Sequence, residues 1–274
     1  MLDAFLLHGG EQVGWGDWSF EPTVVFNAIV ILGFYIYLLR RFASPIDWQR
    51  VALFSSGALA IFLALVSPLD AGAGRLLSLH MLQHVILTSI GPPLVLLGLP
   101  SALLRPLFEP KLVNWLAQQL TSPLIAATLF IVNMWFWHVP AIYETALTHQ
   151  LAHITMHVAF MSTGLLFWWP VIQPLPELSR IGEGARLLYL FVSGFPMALL
   201  ALLLLSSGSV LYEFYEAPPH LWGISPLSDQ QVAGIIMGAL GEAASFIAIT
   251  FLFFRFLDRE GKEAAPSPGS AGPV

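Results

Sequence analysis

Residues 22–41 read PTVVFNAIVILGFYIYLLRR, an apolar run that closes on two arginines. The 18 positions from Pro22 to Leu39 contain no charge. At about 1.5 Å per residue they form a helix that nearly spans the ~30 Å hydrocarbon core of a bilayer. The rest of the chain has the same character, with 57% hydrophobic and 10% charged residues in 274. Such a composition belongs to an all-α integral membrane protein with several spans, not to a soluble domain. The formal charge of −6 therefore says less about partners than the placement of each charge does, and no nucleic acid is expected among them. There is no cysteine, which excludes disulfides, thiolate metal sites, covalently attached haem and thiol redox chemistry. The first residues, MLDAFLLHGGEQ, lack the basic region and small-residue cleavage site of a signal peptide, so the first span is expected to be retained.

Seven segments are long and apolar enough to cross, near 22–39, 48–67, 75–98, 121–138, 149–172, 186–206 and 230–257. Pro68, Pro100, Pro123, Pro140 and Pro170 fall at or near their ends, where a missing N–H costs little. Gly91-Pro92-Pro93 lies inside the third, which is expected to kink or partly unwind there. Arg40, Arg41, Arg50, Arg105, Lys111, Arg180, Arg186, Arg255, Arg259 and Lys262 share one side of this arrangement, and only Arg75 falls on the other. By the positive-inside rule the N-terminus is extracytoplasmic and the C-terminus cytoplasmic. The nine tryptophans all fall near proposed interfaces. The resulting organisation is an extracytoplasmic segment 1–21, a seven-helix transmembrane domain 22–258 and a disordered cytoplasmic tail 259–274, rich in Pro, Gly, Ser and Ala. Residues 106–120 suit a short interfacial helix on the cytoplasmic face. No internal repeat is evident.

In that topology all eight histidines lie in the outer half. Residues four apart on a helix differ by ~6 Å along the axis and ~40° around it. His80 and His84 in the third span therefore share one stripe, and His149, His153 and His157 in HQLAHITMH share another. His138 ends the fourth span with Met134 one turn below it. Imidazole and thioether from facing helices suit Cu(I), while imidazole alone suits copper, zinc, iron or nickel. A solitary buried histidine is usually a packing residue with a carbonyl partner, and that reading fits His8 and His220. Two stripes plus His138 within an apolar bundle are a different matter, because ionisable groups at that depth are rare and usually functional. His80, His84, His138, Met134, His149, His153 and His157 are thus the candidate metal ligands, although methionine also fills irregular gaps in cores.

Other polar positions carry less weight. Glu242 sits near the middle of the seventh span, where a structural role and a functional one are equally in play. Asn133 suits a hydrogen bond between helices, and Gly234, Gly238 and Gly241 suit close helix packing. Asp70, Glu144, Glu213, Glu216 and Asp229 make the outer face acidic, which ordinarily means solvation.

HMLQH at 80–84 followed by GPPLVLLGLP at 91–100, WHVPAIY at 137–143, and HQLAHITMH running on to GLLFWWP at 164–170 together resemble the CtaG family. Its members are polytopic caa-type cytochrome c oxidase assembly factors of bacteria, and the likeness runs from about residue 22 to 257. The resemblance implies a seven-helix protein of the bacterial cytoplasmic membrane that is needed to form active haem-copper oxidase. Copper handling, with an oxidase subunit as partner and no enzymatic activity, is the implied role. By motif position, His80, His84, His138, His153 and His157 are the implied ligands.

The leading expectation is a copper-binding assembly factor. A haem protein with axial histidines from spans three and five stands as the alternative, since it would use the same stripes. A metal-dependent enzyme with three histidines and an open position, and a metal transporter, are weaker readings. The first lacks a partner set beyond Glu144 or Glu242, and the second lacks ligands in the cytoplasmic half.

Overall fold

The computed structural model describes residues 14, 16–43, 45–178, 181–217 and 220–264; His8, Trp15, Arg180 and residues 265–274 lie outside this set. The fold is all-helical among the described residues. Helices α1 (Pro22–Phe42), α2 (Trp48–Val66) and the short α3 (Pro68–Ala73) lead into α4 (Leu77–Leu97). After α5 (Ser101–Leu104) come α6 (Lys111–Leu120), α7 (Pro123–Trp137), α8 (Pro140–Thr148) and α9 (Gln150–Ile172). Helix α10 (Glu183–Ser206) and a last long helix, α11, complete the fold; the apolar reach of α11 is Pro226–Glu260 and it stays helical to Ala264.

Local chemistry accounts for most of these boundaries. Proline opens α1, α3, α7, α8 and α11 at the first turn, where its fixed φ suits a helix and its missing N–H has no intrahelical use. Asp47, Ser67 and Ser225 accept N-terminal N–H groups of α2, α3 and α11.

Six helices, α1, α2, α4, α9, α10 and α11, are long and apolar enough to cross a membrane. Helices α6 and α7 meet at 66° and supply a seventh crossing if the bent pair counts as one span. Alone, α7 has 15 residues, about 22 Å of helix, which is short of a full hydrocarbon core.

The third span meets the expectation of partial unwinding just before Gly91-Pro92-Pro93, in the form of a π-turn. It runs on as one helix through a π-turn, Ile86–Ile90, in which the Gly91 N–H reaches back five residues to the Ile86 carbonyl. Pro92 and Pro93 cannot donate to the carbonyls of Thr88 and Ser89 four residues earlier. The wider turn absorbs the mismatch, and the Trp168 indole N–H takes up the Thr88 carbonyl at 3.1 Å. A helix in lipid that loses backbone donors must find others, and here a neighbouring helix supplies one.

Helix α4 is the centre of the bundle. It packs on α2 near its C-terminal end, on α9 along the π-turn and beyond, and on α11 along its first turns. Helix α7 packs against α9 and α10, α10 packs against α11, and α1 touches only α2 and α5 more than fleetingly. The outward face of α1, with Phe26, Ile29 and Tyr37 exposed, suits lipid. Of the three glycines expected to permit close packing, Gly234 carries the strictest contact. A Cβ there would lie 2.8 Å from the Leu205 nitrogen and 2.9 Å from the Ala201 oxygen. Gly241 meets its neighbour only at ordinary contact distance.

Most of the described basic residues lie near the helix ends away from the histidines, while Arg75, just before α4, does not. Arg105 pairs with Glu177 at 2.7 Å, Arg255 and Arg259 flank the buried Glu183, and Arg50 reaches the Leu97 carbonyl at 3.5 Å. The histidines of α4 and α9 occupy the other half.

A buried histidine site between α4 and α9

Helix α4 brings in His80 and His84, and its first turn is held from outside. The residue before it, Leu76, offers no side-chain cap. Asp229 of α11 fills that role, accepting from Leu77 N at 2.6 Å and Ser78 N at 3.2 Å. Asp229 is therefore not a solvated member of an acidic face; it is buried as a tertiary cap, and a carboxylate suits the positive end of a helix. Helix α9 brings in His157 and His153. Gly164 lets this helix close on the π-turn, since a Cβ there would stand 3.1 Å from the Thr88 Cα and carbonyl oxygen.

His80, His84 and His157, 1%, 2% and 8% exposed, converge so that one ring nitrogen from each lies within 4.8 Å of the others. Ring centroids are 4.3 Å apart for His80 and His84, 5.5 Å for His84 and His157, and 6.2 Å for His80 and His157. His153, half-buried, stands beside them with its ring 4.3 Å from His157 and 5.6 Å from His80.

Hydrogen bonding decides which nitrogens face the group. The Tyr215 hydroxyl donates to the Ala73 carbonyl at 3.1 Å, and its oxygen lies 3.0 Å from His80 Nδ1. With its single proton spent on the carbonyl, Tyr215 accepts from His80, so Nδ1 carries the hydrogen and Nε2 keeps the lone pair. Tyr143, 3.3 Å from the same oxygen, then donates to it as well. Burial pushes the Tyr215 phenol above its usual range, which keeps it a neutral partner. His80 Nε2, both nitrogens of His84 and His157 Nε2 are buried without a hydrogen-bond partner among the described residues. Buried polar atoms are normally paired, so four orphans within one group call for a ligand.

His138 and Met134 do not join this group. His138 Nδ1 donates to the Met134 carbonyl at 2.6 Å, and its buried Nε2 turns toward a cavity that both residues line together with His84. His149 also stands apart. It precedes α9 with extended backbone, is exposed, and bonds to Thr145 and Thr148. The four-residue stripe fails there because the helix begins at Gln150. His220 is exposed. Asn133 does link helices, donating to Thr163 at 3.1 Å.

Three site residues escaped the sequence reading: Tyr143, Tyr212 and Tyr215, the last two from the loop after α10. Tyr212 donates to the His138 carbonyl at 3.0 Å. Tyr143 was within reach of sequence reasoning, closing the segment WHVPAIY. Nothing periodic marks LYEFYE at 211–216.

The donor set fits a transition-metal ion. Three nitrogens bonded at ~2.0 Å to one ion stand about 3.3 Å apart, so small ring rotations suffice, and none has to break a hydrogen bond. Tyr215 behind His80 is the outer hydrogen-bond partner that orients a metal-binding imidazole.

A multi-span helical bundle with imidazoles converging at its buried centre defines a class of polytopic membrane protein. Residues 33–259 match the cytochrome c oxidase caa3 assembly factor family (Caa3_CtaG), and the chain belongs to that family. It is also similar to an uncharacterized protein of Mycobacterium bovis and one of Mycobacterium tuberculosis, each 24% identical over 267 residues. A third such protein, from Mycobacterium leprae, is 24% identical over 271 residues. Each alignment takes in 90% of this chain, and the chain spans about 40% of the length of these relatives. No solved structure matches.

Proposed function

We propose that this protein binds copper through His80, His84 and His157, with His153 at the rim, and hands it to a subunit of a haem-copper oxidase during assembly. In this reading it sits in the bacterial cytoplasmic membrane with seven crossings, α6 and α7 forming the fourth. Its N-terminus is extracytoplasmic and its C-terminus cytoplasmic, which sets the basic end inside and opens the histidine half toward the outside. The role is ligand exchange, not catalysis, in keeping with an assembly-factor family.

One observation carries the reading. Imidazoles from two helices turn buried, unpartnered nitrogens toward one point, and an ion is the simplest group that satisfies them all. When bound, the metal would supply only its charge and its exchangeable coordination positions. The protein's own part is to hold His80 through Tyr215 and keep the site dry. The alternative of a bis-imidazole haem is less favoured. The rings stand 4.3 to 6.2 Å apart and partly edge to face, which leaves no flat slot for a macrocycle between α4 and α9.

The test is a deletion strain complemented with wild type or with His84→Ala/His157→Ala. The expected result is oxidase polypeptide at normal abundance, depleted in copper, in both the deletion and the double variant. Fully metallated oxidase in the deletion would end the proposal. A visible haem spectrum from the purified protein would favour the alternative.

A further inference from the structure

Next to the three imidazoles, and sharing His84 with them, is a cavity of about 30 Å³, enough for one or two water-sized occupants. Its lining is unusual for a membrane bundle. Met81, Met134, Met197 and Met237 all border it, four of the chain's seven methionines, one each from α4, α7, α10 and α11. His138 completes the donors through its buried, unpartnered Nε2, and His84, whose one lone pair serves the outer group, stands on the same wall. The one carboxylate in the lining is Glu242, which bonds Ser245 and lies across from Gly194. Among the described residues no Lys or Arg borders the space.

We infer that this cavity is a second, inner cation site, selective for one soft monovalent ion of the Cu(I) class. Thioethers and the His138 imidazole would hold it, and the Glu242 carboxylate would balance its charge. The inference rests on chemistry distinct from that of the outer site. Thioethers bind soft ions and discriminate against magnesium and calcium, whereas imidazole suits copper, zinc, iron and nickel alike. Every thioether and imidazole is neutral, so an ion held by them alone would bring an uncompensated charge into a low-dielectric bundle. A single carboxylate is the right compensation for a monovalent ion. Packing alone explains an occasional methionine, but packing does not also require a lone carboxylate and an unpartnered imidazole on the same wall. Two π-turns border the space as well, Ile86–Ile90 through Thr88 and Ser89, and Ile236–Leu240 through Met237. Such turns frequently mark functional positions in helices.

The test titrates the detergent-purified full chain with Cu(I), without oxygen, against a chromogenic Cu(I) chelator, and records the copper X-ray absorption of the loaded protein. Four forms are compared: wild type, Met134→Leu/Met197→Leu/Met237→Leu, Glu242→Gln, and His80→Ala/His157→Ala. Leucine nearly conserves the volume of methionine, and a melting curve checks that the triple variant is folded. Wild type is expected to take two ions with sulfur among the neighbours. The triple variant keeps one and loses the sulfur signal, and the histidine variant keeps one and retains it. Glu242→Gln holds two ions but binds the inner one about tenfold or more weakly. One ion without sulfur, lost in the histidine variant and kept in the methionine variant, overturns the inner site and leaves the outer one standing. A single sulfur-bound ion that survives the histidine variant supports the inner site and ends the outer assignment. No Cu(I) in any form overturns both.

Discussion

Asp229 offers the sharpest test of how the site is positioned. Replacing it by alanine strands the N–H groups of Leu77 and Ser78, which it accepts at 2.6 and 3.2 Å, in the interior. A buried donor without a partner costs about 1–3 kcal/mol, and removing an aspartate cap by itself costs about 0.5–2. The two figures count the same bonds and are not added, so the loss is about 1–3 kcal/mol. At roughly 2–4 °C per kcal/mol for a chain of this size, the melting point falls by about 2–12 °C. Asp229→Asn keeps one acceptor but turns an amide toward the other N–H, so its loss falls between wild type and alanine. Melting of the three forms in one detergent, followed by tryptophan fluorescence, reads this directly. Because His80 lies one turn beyond the capped residues, Cu(I) affinity falls with stability. An alanine variant melting within about 2 °C of wild type would show that packing alone holds the first turn of α4, and the argument would fail.

Substituting His157 by alanine should abolish Cu(I) binding at the outer site, while His149→Ala leaves it unchanged in the same chelator competition. Tyr215→Phe keeps the ring but removes the oxygen that accepts from His80; it should weaken outer-site binding about 10–100-fold with little change in melting, the range seen for second partners of metal-bound imidazoles. Asp70 predicts a pH dependence. Burial pushes its carboxyl up to about 6, against a hydrogen bond from Gln83 that lowers it and Glu21 that raises it. The folded state thus binds this proton more tightly than the unfolded one, so the contribution is full below about pH 4 and is lost as pH rises through about 6. Melting points of wild type should fall over that interval, and Asp70→Asn should flatten the fall. Gly234→Leu should prevent the close approach of α10 and α11 and yield little folded protein by size-exclusion chromatography.

The six long apolar helices were legible because a bilayer imposes its own length; the same logic marked α7, whose 15 residues reach that length only if α6 is counted with it. His80, His84, His153 and His157 were legible because four-residue spacing has a fixed meaning inside a helix. His149 shows the limit of that rule, which holds only where the backbone is helical. Gly91-Pro92-Pro93 announced lost donors, but not that Trp168, 80 residues from Thr88, would answer one of the stranded carbonyls. Tyr215 and Asp229 were invisible for a related reason. Each acts across more than 130 positions of chain, and a tyrosine in a loop or an aspartate near a helix start carries no sign of a distant partner.

The π-turn of α4 also sets a phase. Holding one residue more than an α-turn, it rotates everything before it by about 100° relative to everything after it. His80 and His84 stand before the turn, and the segment that packs on α2 stands after it. The half of α4 that carries the imidazoles is therefore geared separately from the half that anchors the helix. Deleting one residue within 86–90 would remove that extra residue and set Pro92 and Pro93 back against α-turn carbonyls, while swinging both imidazoles away from His157. A chain shortened there would point its histidines at the wrong neighbours.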